Sequence, residues 1–311
     1  MRFTKLGQTG MTVSVAGLGT GGHSRVGQRT GRSKEESVAL VTAALEHGVN
    51  LFDTAERYGT EELLAAAVHG RVRDDVILST KTAARDDGRL RSQRDIDDAL
   101  AASLARLNTD YVDIYHLHAV ASDDYRYARD VLLPGLAKHR QRGTIRAIGI
   151  TESFASDPGH RTLQLAVEDA CWDVMMVGHN VINQSARSRV LDRAREAGTG
   201  VLCMFAVRRA LSDPDRLCET LAELARDGYL DEDVDGDPAA WLLADSGAGS
   251  LPELAYRFCA HEPGIDSVLF GTGNRAHLDA NIEALLAPPL PDTTVARLRK
   301  IFGRVTHVSG N

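Results

Sequence analysis

Four side chains able to exchange or stabilise protons stand at the ends of three consecutive predicted strands. They are an acid, a phenol, an amine and an imidazole: Asp53, Tyr58, Lys81 and His118. The C-terminal ends of the strands form the catalytic rim of a parallel α/β barrel, so we expect these groups to meet there. A phenol ionises near pH ~10 and needs a neighbouring cation to donate a proton near neutrality. Lys81 would be that cation, with Asp53 as its counter-ion and His118 as a polar partner. The set predicts a proton-transfer site.

Composition narrows the classes of protein to which the chain could belong. Its 311 residues suffice for two ordinary domains or one barrel, and apolar residues make up 43%. The net charge of −7 provides no basic surface for nucleic acid or an anionic membrane. There is no signal-peptide stretch at the start and no run of about 20 apolar residues that could span a bilayer. We therefore expect a cytoplasmic protein with neither nucleic acid nor membrane as a partner.

The four cysteines lack the spacing of a metal site. Cys171, Cys203, Cys218 and Cys259 form no Cys-x-x-Cys pair. Cys171 and Cys203 lie in or beside apolar runs, which favours buried free thiols. We predict no bound metal.

Strand-length apolar runs alternate with amphipathic helical segments along the chain. The candidate strands cover residues 13–18, 49–53, 75–80, 111–117, 144–150, 173–178, 200–205 and 267–270. The candidate helices lie near residues 34–47, 60–69, 93–107, 128–142, 159–170, 185–197, 251–261 and 275–286. Strands that are continuously apolar are typical of parallel sheets covered on both faces. Eight such units predict an α/β fold, a (β/α)8 TIM barrel forming a single domain over residues 1–311.

Two additions to this barrel are predicted. Turn residues between short apolar pieces indicate an N-terminal β-hairpin in the first twelve residues. A long insertion after strand seven, at 206–250, contains a helix at 215–227 and an acidic stretch at 231–237. That stretch is either a calcium loop or a solvated turn. We favour the turn, because no glutamate follows at the required distance.

Short phrases at the ends of the predicted strands occur together and in order. They lie at residues 6–20, 53–59, 80–81, 110–118, 143–150 and 271–281. Through these phrases the chain resembles the aldo-keto reductase family nearly end to end. The resemblance implies that Tyr58 is the general acid, that Lys81 and Asp53 support it, and that His118 orients a carbonyl. His116 points the same way by strand alternation and is an alternative to His118.

The same resemblance implies a set of cofactor-binding positions: Gly19, Thr20, Thr151, Glu152, Phe205, Gly271, Thr272, Gly273, Asn274, Arg275, His277 and Asn281. Phe205 matches an aromatic residue that stacks on nicotinamide, or else it is a core phenylalanine. The segment 271–274 leads into a helix whose N-terminal amides favour phosphate, or else it is a turn and helix cap.

The chain departs from many relatives at two places. Thr151 and Glu152 stand where relatives carry Ser-Asn, and Met176 stands where they carry glutamine, so the carboxamide of the cofactor must be held differently. Gly271 and His277 replace a Lys and an Arg near the adenosine phosphate, which leaves Arg275 as the nearest cation. We favour NADP(H) as the cofactor, with NAD(H) as the alternative.

These patterns predict an NAD(P)(H)-dependent oxidoreductase that transfers hydride between nicotinamide and a small carbonyl or alcohol. The substrate would be an aldehyde, a ketone or an aldose, with Tyr58 as general acid and base. One alternative is a nucleotide-binding, redox-sensing regulatory barrel without significant turnover. Another is a phosphate-binding barrel of different chemistry, which leaves the Tyr58 and Lys81 pair unexplained. The sequence specifies neither the direction of reaction nor an oligomeric state.

Overall fold

Eight parallel strands form a closed barrel in the computed structural model, which describes residues 1–230 and 236–311. The barrel strands are β3 (Ala16–Gly19), β4 (Leu51–Asp53), β5 (Ile77–Ala83), β8 (Val112–Val120), β9 (Ile145–Glu152), β10 (Val174–Gly178), β11 (Gly200–Met204) and β12 (Ser267–Phe270). They pair in chain order, and β12 closes the ring against β3. The predicted (β/α)8 TIM barrel is confirmed.

Helices surround this barrel and cover its outer face. The helices are α1 (Lys34–Glu46), α2 (Glu61–Val68), α3 (Gln93–Leu107), α4 (Tyr125–Tyr127), α5 (Leu133–Gln141), α6 (Arg161–Asp169), α7 (Asp192–Ala197), α8 (Pro214–Arg226), α9 (Pro238–Leu243), α10 (Leu251–Ala260), α11 (Arg275–Leu286) and α12 (Asp292–Phe302). A capping box of Ser33 and Glu36 begins α1, because each side chain satisfies the other's backbone amide. No helix in the described part of the chain is long and apolar enough to cross a membrane.

The N-terminal hairpin closes the floor of the barrel. Its strands, β1 (Phe3–Lys5) and β2 (Thr12–Ser14), pair antiparallel as predicted. Leu6, Met11 and Val13 pack against inward-facing barrel residues, including Leu51 and Met176. This layer seals the end of the barrel opposite the C-terminal rim.

Several boundaries differ from the sequence prediction. Val13 belongs to the hairpin, so barrel strand one begins at Ala16. β5 continues through Lys81 to Ala83, and β8 continues through His118 to Val120, because their ends pair with each other. The ends of these two strands could not be located from the sequence, because no turn residues follow the predicted ends.

Other elements were not predicted. A hairpin of β6 (Arg85–Asp86) and β7 (Arg89–Leu90) follows β5, and α9 and α12 are additional helices. The insertion after β11 is present and contains the predicted helix as α8. The acidic stretch at 231–237 was expected to be a solvated turn or a calcium loop. Its residues 231–235 lie outside the described residues.

Candidate active site

The predicted acid, phenol, amine and imidazole meet at the C-terminal rim of the barrel. Asp53 ends β4, and Tyr58 follows in a short 3-10 turn that brings its hydroxyl back over the rim. The Tyr58 hydroxyl lies 3.3 Å from His118 Nε2, and the two rings meet edge to face. Lys81 Nζ lies 5.0 Å from the centre of the Tyr58 ring. The arrangement places a cation and an imidazole beside one phenol.

Lys81 and Asp53 form a buried ion pair beneath that phenol. Lys81 Nζ donates to Asp53 Oδ2 at 2.6 Å and to the Thr54 carbonyl at 2.7 Å, while Ser79 Oγ donates to Asp53 Oδ1 at 2.8 Å. Their side chains are only 1% and 5% exposed. Burial is the largest single influence and opposes the charge on Lys81, but Asp53 and Tyr58 together outweigh it and raise the pKa of Lys81 above its ordinary value. Lys81 therefore remains a cation throughout the physiological range.

His118 is a neutral imidazole at physiological pH. Burial, then Lys81 and Arg57, lower the pKa of His118 to about 3. A neutral ring carries a donor on one nitrogen and an acceptor on the other, so it can share a hydrogen bond with the Tyr58 hydroxyl in either direction. The imidazole is suited to orienting a polar group rather than to carrying charge.

His116 occupies the barrel interior instead of the rim. The His116 side chain is fully buried and packs directly on Gly149 of β9. The contact is so close that a Cβ at position 149 would lie 2.1 Å from His116 Nδ1. Neither ring nitrogen has a hydrogen-bond partner among the described residues. Burial, then Lys81 and His118, hold the pKa of His116 well below its ordinary value. The structure brings His118, not His116, to the phenol.

The loop after β3 fixes the Tyr58 ring from above, a contact that the sequence reading missed. A Cβ added at Gly21 would lie 2.1 Å from the Tyr58 ring, so the glycine backbone rests directly against it. Arg25 donates to the Tyr58 carbonyl at 2.8 Å. The Gly-Gly pair at 21 and 22 was the available signal, since glycine permits such close approach.

The first predicted cofactor positions surround the same rim. Gly19 ends β3, and the buried Thr20 hydroxyl bonds to the Asp53 carbonyl at 3.0 Å and to Thr60 at 2.6 Å. Thr151 is the penultimate residue of β9, and its hydroxyl accepts from the Ala119 amide at 2.7 Å. Both threonines thus tie neighbouring strand ends together, and their hydroxyls are already engaged.

Glu152 lies beneath the rim in a buried network. Its carboxylate accepts from His160 Nδ1 at 2.9 Å and from the Gly178 amide at 2.8 Å, and it is completely shielded from solvent. Burial raises the pKa of Glu152 above its ordinary value despite the neighbouring His160. Phe154 stacks on the His160 ring and covers the pair. The predicted role of Glu152 toward a carboxamide remains a prediction, and these existing bonds compete with it.

Phe205 follows β11 in a strained conformation. Its φ of 64° is in the left-handed region that an aromatic residue rarely adopts. Asn180 Nδ2 donates to its carbonyl at 3.3 Å. The Phe154 ring is nearly parallel to the Phe205 ring, with 6.2 Å between the two ring centres. The Arg208 guanidinium carbon lies 4.1 Å from the centre of the Phe205 ring.

The segment after β12 lies on the rim between the ends of β11 and β3. Gly271 approaches Gly19 closely, since an added Cβ would lie 3.3 Å from the Gly19 carbonyl oxygen. Thr272 Oγ1 accepts from the Asn274 amide at 3.0 Å, and the Asn274 side chain caps the first amides of α11. Gly273 packs on the loop after β3.

The predicted adenosine-phosphate residues lie at the start of α11. Arg275 is exposed and pairs with Asp279 at 3.1 Å, which in turn contacts His47. His277 is exposed, and Asn281 lies one turn farther along the helix. The cation nearest the expected phosphate is thus shared with a carboxylate. No group of three or more metal-binding side chains occurs among the described residues.

Comparison with known proteins identifies the family. The aldo/keto reductase family model matches residues 17–302. The uncharacterized oxidoreductase YqkF of Bacillus subtilis is 26% identical over 310 residues, which cover 96% of each chain. L-galactose dehydrogenase of Arabidopsis thaliana is 27% identical over 289 residues, covering 90% of this chain and 86% of its own length.

Solved structures share the fold. The holo form of aldo-keto reductase AKR11C1 from Bacillus halodurans superposes with a TM-score of 0.72 at 23% identity, covering 96% of both chains. A thermostable aldo-keto reductase, Tm1743, superposes with a TM-score of 0.69 at 24% identity, covering 96% of this chain and 99% of its own. With a family match over most of its length, the chain belongs to the aldo/keto reductase family of oxidoreductases, which use nicotinamide cofactors and act on small carbonyl compounds.

Proposed function

We propose that this protein is an NAD(P)(H)-dependent oxidoreductase that interconverts a small carbonyl compound and its alcohol. The observation that carries the proposal is the contact of the Tyr58 hydroxyl with His118, directly above the buried Lys81–Asp53 ion pair. This combination places a proton donor, a fixed positive charge and a neutral orienting group within one site. General acid catalysis needs the proton donor within hydrogen-bond reach of the reacting oxygen.

Each of the four residues has a distinct part in the proposed reaction. In reduction, the Tyr58 hydroxyl donates its proton to the carbonyl oxygen, and in oxidation the same oxygen takes the proton back. His118 orients that oxygen by a hydrogen bond. Lys81 stabilises negative charge on the phenolic oxygen, and Asp53 keeps the lysine charged and in place. A bound nicotinamide cofactor would supply or accept the hydride.

The loops after β3, β11 and β12 fit such a cofactor. Gly19 and Gly271 leave the backbone open where a flat ring or a phosphate must approach closely. Phe205 is an aromatic residue on the same rim, with Arg208 over one face of its ring, and the N-terminal end of α11, capped by Asn274, carries the positive end of the helix dipole. We retain NADP(H) as the favoured cofactor because Arg275 stands at the predicted phosphate site. Its pairing with Asp279 keeps NAD(H) as the alternative.

The substrate class that we propose comprises aldehydes, ketones and aldoses. Support comes from the similarity to L-galactose dehydrogenase, whose name describes oxidation of a sugar, and from the family as a whole. The loops after β3, β8 and β11 would determine which member of the class binds.

The test combines a substrate panel with a single hydroxyl deletion. Aldehydes, ketones and aldoses are assayed with NADPH, NADH and their oxidised forms, for the wild type and Tyr58→Phe. We expect Tyr58→Phe to lower kcat by about 10²–10⁴-fold while reduced-cofactor fluorescence still reports binding. The matched control is Tyr111→Phe, which loses a hydroxyl bonded to Asp74 at the other end of β8. More than half of wild-type kcat in Tyr58→Phe would disprove the assignment, and cofactor binding without turnover would favour the regulatory alternative.

A further inference from the structure

Arg208 lies on the loop after β11, beside the strained Phe205. Its guanidinium carbon is 4.1 Å from the centre of the Phe205 ring, over one ring face. β11 and β12 are neighbours in the barrel, so the loops that follow them lie side by side on the rim. In TIM barrels the loops after strands seven and eight frequently form a phosphate-binding site. Arg208 therefore stands where oxyanions are commonly bound.

The Arg208 side chain has no hydrogen bond or ion pair within the described residues, and its Nε is shielded from solvent without a partner. Burial alone lowers the pKa of Arg208, because no carboxylate compensates for the lost hydration. A guanidinium stays charged in proteins, and buried donors are normally satisfied. Arg208 therefore presents hydrogen-bond donors that have no acceptor among the described residues.

The neighbouring arginine behaves differently. Arg209 is exposed and lies 3.7 Å from Asp213 in a pair between residues four apart. Arg91, which is also largely buried, satisfies its guanidinium with Glu56 and Asp86. Of these three arginines, only Arg208 lacks an acceptor among the described residues. Stacking on Phe205 holds its planar guanidinium in a defined orientation.

We propose that Arg208 binds an oxyanion, a phosphate or a carboxylate, at the active-site rim. The ring of Phe205 positions the guanidinium, and the oxyanion supplies the acceptors that the described residues do not. The oxyanion belongs either to the nucleotide or to a negatively charged substrate. This inference rests on the proposed use of the rim as a ligand site, but its test measures binding and does not require turnover.

The experiment compares Arg208→Gln with the matched control Arg209→Gln. Affinities for NADPH and NADH are measured by reduced-cofactor fluorescence, and those for inorganic pyrophosphate and succinate by titration calorimetry. A charge-assisted hydrogen bond lost from Arg208 should weaken binding about 10- to 100-fold, whereas Arg209→Gln should bind like the wild type. Equal losses for NADPH, NADH and pyrophosphate would assign the oxyanion to the nucleotide. A loss for succinate alone would assign it to the substrate.

A stability measurement separates binding from a structural role. Arg208→Gln breaks no hydrogen bond in the described structure and loses only the stacking on Phe205, so its Tm should stay within about 4 °C of the wild type. Arg208→Lys keeps the charge and should retain part of the affinity. Wild-type affinity of Arg208→Gln for all four probes, or a wild type that binds none of them, would overturn the inference. If the Arg208 inference fails in this way but Tyr58→Phe lowers kcat as expected, the proposed function still holds.

Discussion

Replacing Lys81 by methionine tests the buried ion pair, because methionine fills similar space without the charge. The substitution removes the 2.6 Å contact with Asp53 and the 2.7 Å contact with the Thr54 carbonyl. Asp53 then keeps one side-chain donor, the Ser79 hydroxyl. A carboxylate that is 5% exposed is left without its counter-ion. The variant should therefore lose stability as well as activity.

The expected loss of stability follows from the burial of both partners. Removing one member of a buried pair costs about 3–5 kcal/mol, because the remaining charge is unpaired. Adding Asp53→Asn to Lys81→Met removes that charge and should recover most of the loss. The rate should fall in both variants by about 10²–10⁴-fold, since the Tyr58 phenol no longer has a cation beside it. Urea unfolding at pH 7 and steady-state kinetics measure the two effects separately.

The pH dependence of Lys81→Met provides an independent check. Burial is the largest influence on Asp53 and raises its pKa, and the variant lacks the opposing pull of Lys81. Asp53 in the folded variant then binds a proton more tightly than Asp53 in the unfolded chain, which releases its proton near pH ~4. The stability of the variant should accordingly decrease, relative to the wild type, as the pH rises above the unfolded pKa of about 4. A variant as stable and as active as the wild type, with no such pH trend, would refute the pairing.

Three further predictions concern the same rim. His118 has a folded pKa of about 3 against an ordinary 6.5, so the unfolded state binds the extra proton between those values. Wild-type stability in urea should fall as the pH drops from 6.5 toward 4, and His118→Gln should fall less steeply; parallel curves would contradict this. Gly21→Ala should displace the Tyr58 ring, lower kcat and cost about 1–3 kcal/mol, whereas Gly22→Ala, with open space around it, should do neither. Arg275→Ala should weaken NADPH binding by about 1–3 kcal/mol and leave NADH unchanged; equal losses would make the arginine a general structural residue.

The positions of the four catalytic candidates could be predicted from the sequence. Asp53 and Tyr58 follow one continuous apolar strand, and Lys81 and His118 lie near the ends of the next two. Parallel strands joined by helices bring their C-terminal ends to one rim, so sequence order alone predicts that these side chains gather there. The hairpin, the eight strands and the capping box of α1 are likewise local patterns. Each depends on residues close together in the chain.

Contacts between distant loops were decided by the tertiary structure. His116 and His118 are equivalent by strand alternation, but the β8–β9 register shifts after Leu117, Ala119 takes a positive φ, and the Tyr58 hydroxyl contacts His118. Glu152 accepts hydrogen bonds from His160 Nδ1 and from the Gly178 amide, so its availability to a ligand depends on how the ends of β9 and β10 pack against the start of α6.

Arg208 is the clearest example of a residue whose surroundings could not be predicted from the sequence. Nothing in the sequence Val207-Arg208-Arg209 distinguishes one arginine from the other. Closure of the barrel shields Arg208 against Phe205, with no acceptor in the part of the chain that the structure describes, and leaves Arg209 in solvent beside Asp213. The sequence determined which strand ends and residue types form the rim, because these depend on local periodicity. Burial and pairing depend on which loops meet, and that was decided only when the barrel closed.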